Sequence, residues 1–176
     1  MNDSPPVFLV GPMGAGKTTV GRHLARLRGM QFIDADHELE ARTGVDIPYI
    51  FDKEGEAGFR DREEQLIDDL SQERGIVLAT GGGVVMREAN RTHLKNRGRV
   101  VYLYTEVEQQ WRRTRKSKNR PLLQQDNPKK ILKELMALRD PWYREVADLI
   151  IPSKAQSARS LAMLINQKLT QMEPKS

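Results

Sequence analysis

Residues 7–21 read VFLVGPMGAGKTTVG. A four-residue apolar run, Val7 to Val10, stops at Gly11, and Gly14, Gly16 and the pair Lys17-Thr18 follow at once. Gly11 to Thr18 matches G-x-x-x-x-G-K-[ST], the phosphate-binding loop. The glycines let the chain curl with its N–H groups turned inward as an anion nest. A helix opening near Lys17 adds the partial positive charge of its N-terminus. Lys17 reaches the outer phosphates of a nucleotide, the Thr18 hydroxyl helps hold Mg²⁺, and Thr19 with nearby backbone takes the α-phosphate. The alternative is a glycine-rich structural turn. The flanking pattern, buried strand before and amphipathic helix after, is the context the phosphate-binding reading requires.

Outward from this stretch the chain alternates. A helix is expected over 17–28 with Gly29 as its stop, then a strand at 31–34 (QFID) and helical patterning from about His37 to Thr43-Gly44. A charged helix is expected over 56–74, a buried strand in GIVLAT (75–80), a helix over about 87–97, a strand at 99–104 and a helix from about 106. Residues 116–127 read as a polar loop. A helix from about 128 is expected to run to Asp140, where Pro141 interrupts it; LIIP (149–152) is a last strand and 157–171 a closing helix. Continuous apolar strands alternating with helices predict an α/β fold, a parallel sheet covered on both faces. No internal repeat or linker divides residues 1–176, so one domain is expected.

The absence of cysteine excludes a disulfide framework, thiolate zinc and a cysteine nucleophile, and it fits a reducing compartment. MNDSPPVFLV lacks the basic segment and longer apolar run of a secretion signal, and no stretch approaches the ~20 apolar residues of a membrane span. The formal net charge is +5, but residues 112–120, RRTRKSKNR, hold six cations and no acids. Without them the chain carries 23 basic and 24 acidic residues. One basic cluster on a near-neutral body argues for a concentrated anion contact rather than a surface that tracks nucleic acid. The segment from about 112 to 127 reads as a mobile basic lid that closes over a triphosphate, the alternative being a solvated or nucleic-acid-contacting loop. Within it Arg120 is the leading candidate, because Pro121 restricts its backbone.

A second substrate is expected outside the carboxyl ends of the strands. QFID runs into Asp34-Ala35-Asp36. One carboxylate there can order Mg²⁺ and another can orient an attacking hydroxyl, although the cluster serves equally as a turn and helix N-cap. IVLAT runs into Gly81-Gly82-Gly83, suited either to close approach of a ligand or to a tight strand-to-helix turn. Arg60 in GFRDREE and Arg139 in MALRDPWY can bind a carboxylate through paired hydrogen bonds, though most helical arginines simply face solvent.

Taken together, GPMGAGKTTVGRHLA (11–25), DADHELE (34–40), FDKEGEAGFRDREE (51–64), VLATGGG (77–83), RPLL (120–123), LRDPWYREVAD (138–148) and AQSA (155–158) closely resemble shikimate kinase. The resemblance runs from about Val7 to Ala158 in one order and spacing. It implies a three-layer P-loop kinase fold with five parallel strands in the order 2-3-1-4-5. It further implies transfer of the ATP γ-phosphoryl group to the 3-hydroxyl of shikimate, a step of aromatic amino-acid biosynthesis, with Mg²⁺ as cofactor. By position, Gly14, Ala15, Gly16, Lys17, Thr18 and Thr19 line the phosphates, and Thr18 holds Mg²⁺ with Asp34 nearby through water. Asp36 binds the shikimate hydroxyls, Arg60 and Arg139 clamp the carboxylate, and Gly82, between Gly81 and Gly83, offers backbone. Arg120 closes from the lid; Arg113 and Gln156 flank the adenine. Members are usually monomeric and cytoplasmic, without nucleic-acid or membrane partners. Thr18 stands where many members carry serine, and either hydroxyl suits the metal. The residues also leave open a kinase for a sugar acid or a nucleotide, or an ATP-dependent nucleic-acid-binding module using the basic stretch.

Overall fold

The computed structural model describes residues 2–116, 127–154 and 156–172. Five parallel strands form one sheet in the order β2-β3-β1-β4-β5, as the resemblance implied. They are β1 (Val7–Val10), β2 (Gln31–Asp34), β3 (Ile76–Ala79), β4 (Arg99–Tyr104) and β5 (Leu149–Pro152). The central strand β1 pairs on one side with β3 (Val7 with Val77) and on the other with β4 (Val7 with Arg99).

All four residues of β1 are buried because both faces of the sheet are covered. Val7 and Leu9 point into one core with Val77, Val101 and Leu103. There α1 (Lys17–Arg28) and α7 (Ala158–Met172) supply Leu24, Leu161 and Ile165. Phe8 and Val10 point into the other core with Leu78, Val100 and Tyr102. That face is covered by α2 (Ala35–Thr43), α3 (Ile47–Leu70), α4 (Glu88–Arg97) and α6 (Pro128–Val146), which contribute Leu39, Phe59, Leu94 and Tyr143. Fully burying one such side chain stabilises the fold by about 1.5–3 kcal/mol, and the alternation along β1 sets which of its side chains enters which core. A short 3-10 turn (Val84–Met86) follows β3, and α5 (Val107–Thr114) follows β4.

Three elements depart from expectation. Helix α3 begins at Ile47 rather than Glu56, with Asp46 as its N-cap accepting from the Tyr49 N–H. It is two helical pieces joined at Gly55, whose φ of 71° and ψ of −179° are not helical. Helix α6 does not stop at Asp140; it passes through Pro141 to Val146. Proline frees the carbonyl of residue 137, but Ala137 and Pro141 are both exposed, so water can satisfy it. The turn beyond is fixed by burial of Tyr143 and Val146. Finally, Arg112 to Thr114 are the last turn of α5 and not the start of a loop. Residues 117–126, most of the expected lid, lie outside the described residues, as does Arg120.

Candidate active site

The turn between β1 and α1 is a nest. Gly14 and Gly16 sit at φ 80° and 88°, where a side chain would be strained. Helix α1 starts with no side-chain cap and no acid in its first turn, so its terminal N–H donors and dipole are left for an anion. The Lys17 ammonium folds over the turn and donates to the carbonyls of Gly11 and Pro12 at 2.6 and 2.8 Å. Ala15 is buried; its N–H donates to Pro12 O at 3.2 Å and its carbonyl accepts from Ser153 Oγ at 2.9 Å. The first bond closes the turn on itself, and the second ties it to the segment after β5.

Beside the nest, Thr18 Oγ1 donates to Asp34 Oδ2 at 2.7 Å. The other oxygen of Asp34 caps α2 by accepting from the His37 N–H at 3.1 Å. The metal reading and the N-cap reading therefore share one carboxylate, one oxygen each. Asp36 stands in the first turn of α2 and, with Lys17, Thr18, Thr19, Asp34, Gly81 and Gly82, lines a cleft of about 430 Å³. Arg113, reaching from α5, also borders it. Its guanidinium donates to Gly14 O at 2.8 Å and to Lys154 O at 3.0 Å, and partial burial lowers its pKa. Gln156 does not line this cleft. Its amide bonds locally, accepting from the Lys154 N–H at 2.8 Å and donating to Pro152 O at 3.2 Å.

The three glycines after β3 mark the place where two arginines approach the backbone. A Cβ at Gly83 would overlap the Arg60 guanidinium, and one at Gly82 would lie 3.4 Å from Arg139 Nη1. At Gly81 it would meet Glu63 Oε2 at 3.0 Å and Asp36 Oδ1 at 3.2 Å. Arg60 and Arg139 are 6% and 3% exposed, a degree of burial that helical arginines do not show when they merely face water. Arg139 is an interior residue of α6, not a helix end as its proximity to Pro141 suggested.

Two residues that sequence reasoning passed over complete this region. Glu63, 3% exposed, accepts from Arg60 Nη1 at 2.8 Å. Burial pushes its carboxyl up, and the attraction of Arg60 and Arg139 opposes that shift. Tyr143 is wholly buried, its hydroxyl donates to Gly82 O, and burial pushes its pKa up to about 12. Glu63 was visible as the acid one turn after Arg60; nothing in the sequence distinguished Tyr143 from a core aromatic. Arg139 itself is held by little. Nη2 lies 3.5 Å from Met86 Sδ, and Nε is buried without a hydrogen-bond partner among the described residues. Burial and then the nearby Arg60 charge lower its pKa. Arg60 is paired with the buried Glu63 at 2.8 Å and with the partly exposed Glu56 at 3.4 Å, whereas Arg139 has no ion pair among the described residues, which leaves its charge available to an anion.

A phosphate nest at the end of β1, a hydroxyl and carboxylate fit for a hard cation and an anion site at the end of β3 define a P-loop phosphotransferase acting on a small acceptor. The comparisons agree with that class. The family model described as shikimate kinase matches residues 13–170. A curated shikimate kinase of Acinetobacter baylyi is 62% identical over 161 residues, covering 92% of this chain and 89% of that protein. The solved structure of shikimate kinase from Acinetobacter baumannii in complex with shikimate superposes with a TM-score of 0.96 at 53% identity, covering 99% of this chain and 97% of the other. Shikimate kinase from Bacteroides thetaiotaomicron is 29% identical with a TM-score of 0.85, covering 94% and 98%. The chain belongs to the shikimate kinase family, whose members are ATP-dependent kinases.

Proposed function

We propose that this chain phosphorylates the 3-hydroxyl of shikimate from ATP, with the cleft between the β1 and β3 ends as the place of transfer. The observation that carries the reading is the pair of buried arginines packed on Gly82 and Gly83, next to Gly81, which stands close to the Asp36 carboxylate and lines the same cleft as the nest. A ring with one carboxylate and three hydroxyls fits that division. Arg60 and Arg139 bind the carboxylate through paired hydrogen bonds, and Asp36 accepts from ring hydroxyls and aims the attacking one.

On the donor side, the N–H groups from Gly14 to Thr19 hold the phosphates, and the Lys17 ammonium rotates from the Gly11 and Pro12 carbonyls onto the outer phosphate oxygens. Its charge then grows in value as negative charge spreads over the transferring group. Thr18 Oγ1 and Asp34 Oδ2, hard oxygen donors 2.7 Å apart, fit Mg²⁺, Asp34 acting through water. When bound there the ion neutralises phosphate charge and orients the phosphates. Arg113 and Gln156 flank the adenine, Arg113 with the better support because it borders the cleft. Arg120 is assigned to the closing segment by its place in RPLL alone.

No helix among the described residues is long and apolar enough to cross a membrane. We read the enzyme as a cytoplasmic monomer of one domain, acting on small molecules and not on nucleic acid.

ADP release measured with ATP and Mg²⁺ alone, then with shikimate, gluconate or RNA added, tests the reading. Shikimate alone should accelerate release strongly. Arg60→Ala should raise KM for shikimate while leaving KM for ATP nearly intact, and equal turnover with gluconate would remove the assigned acceptor.

A further inference from the structure

We propose that Ser153 is a positioning residue of the nucleotide site, its hydroxyl holding the Ala15 carbonyl so that the Gly16 N–H is aimed at the phosphates. Ser153 directly follows β5 and is 4% exposed. Its Oγ donates to Ala15 O at 2.9 Å, although 138 residues separate the two in sequence, and it accepts from Arg113 Nη1 at 3.3 Å. A trans peptide points its carbonyl and its N–H opposite ways. With the Ala15 carbonyl turned back onto Ser153, the Gly16 N–H of the same peptide is turned away from it, and Gly16 lines the cleft.

Packing alone does not call for that hydroxyl. An alanine would fill nearly the same space without burying a polar group. The need comes from Ala15, which is wholly buried and takes no other hydrogen bond at its carbonyl among the described residues. Without Ser153 Oγ that oxygen is an orphaned buried acceptor, and the peptide is free to turn in search of a donor. The support itself is rigid. The Ser153 N–H donates to Tyr104 O at 2.7 Å, which ties the hydroxyl's own backbone to the end of β4. The next residue is tied to α5, where Gln109 Nε2 and Arg113 Nη2 donate to Lys154 O at 2.8 and 3.0 Å. Arg113 Nη1 also donates to Gly14 O at 2.8 Å, so two successive carbonyls of the turn are held from outside it. The two holds differ. The Arg113 bond is exposed and belongs to a side chain assigned to the adenine, whereas the Ser153 bond is buried. Ser153 therefore gives the nest a fixed reference to the sheet.

The inference rests on the turn as the holder of nucleotide phosphates, and its test separates the two. Steady-state kinetics of Ser153→Ala should show KM for ATP raised about tenfold, with KM for shikimate and kcat within about twofold. Inorganic tripolyphosphate, with Mg²⁺ in excess, offers the phosphates without a base. Its inhibition constant against ATP should rise by the same factor, because the hydroxyl acts on the nest and not on the adenine. An unchanged KM for ATP, an equal rise for shikimate, or a raised KM for ATP with an unchanged tripolyphosphate constant would each overturn the proposal. If Ser153→Ala does not fold, Ser153→Cys decides, since a thiol is a weak donor. KM for ATP raised several-fold with KM for shikimate unchanged supports the role; both constants unchanged, or both raised, overturn it. The wild-type protein tests the foundation. If tripolyphosphate does not compete with ATP there, the phosphate nest itself is misassigned. If it competes there and equally well in Ser153→Ala, only the role of Ser153 falls.

Discussion

Gly83 shows how a residue without a side chain shapes the site. A Cβ there would overlap the Arg60 guanidinium, the far end of a flexible chain that can yield. Gly83→Ala should therefore cost little stability and much affinity: a melting temperature within a few degrees of wild type, and KM for shikimate raised more than tenfold with KM for ATP unchanged. A normal KM would mean that Arg60 does not need its place against the turn. Tyr143 supports a prediction of a different kind. Its folded pKa of about 12 lies above the ordinary tyrosine value of 10.0, so between these pH values the folded protein keeps a proton that the unfolded chain sheds. Stability from this group is complete below about pH 10 and falls as pH rises toward 12. Thermal melts from pH 9 to 11.5 should decline less steeply in Tyr143→Phe than in wild type, and parallel slopes would refute the shift. The donor half of the site was legible in the sequence because the nest needs glycines, a lysine and a hydroxyl at fixed spacing. Arg60, Arg139 and the glycine triplet were legible as candidates, but their burial was not. Whether a helical arginine is covered depends on which strand end it faces, and Tyr143 differs from a core aromatic only in where one O–H points.

Element boundaries followed the apolar periodicity well where a strand or helix ended at a glycine or a cap, as at Gly29 and Gly44. They failed where local chemistry and packing disagreed. Pro141 signals an end to α6, yet burial of Tyr143 and Val146 holds the next turn, and the carbonyl left without a donor belongs to the exposed Ala137. Gly55 had the opposite effect. IPYIFDKE before it carries too little periodicity to separate from a loop, and only the cap at Asp46 and the burial of Ile50 identify it as helix. The break at Gly55 lets the second piece of α3 set out in its own direction, which carries Phe59, Arg60 and Glu63 to the β3 end. Its φ of 71° with ψ near 180° belongs to a region open essentially to glycine. Gly55→Ala should destabilise the protein by about 1–3 kcal/mol in denaturant unfolding. Because the break aims Arg60, KM for shikimate should rise more than KM for ATP. A loss of stability with both constants unchanged would show that the break serves only folding.

The whole molecule has an uneven charge economy. Its net charge of +5 comes from one segment, while behind the cleft Arg60 is paired with Glu63 and Glu56 and the buried Arg139 has no ion pair among the described residues. Burying a cation without a full set of partners destabilises the substrate-free protein, and an incoming carboxylate offsets that cost. Binding should then appear as stabilisation. Shikimate at a hundred times its Kd adds about 2.7 kcal/mol, which for 176 residues raises Tm by roughly 5–10 °C. Arg139→Met keeps the length of the side chain and removes its charge. Without substrate this variant should be more stable than wild type by about 1–3 kcal/mol, because the least-partnered buried cation is gone. With saturating shikimate its Tm should barely move. Paired melts of both proteins, with and without shikimate, separate the possibilities. If Arg139→Met melts below wild type in the absence of shikimate, Arg139 is a structural tie of α6 rather than a charge held in reserve for the substrate. If it melts above and still responds fully to shikimate, the carboxylate is bound elsewhere.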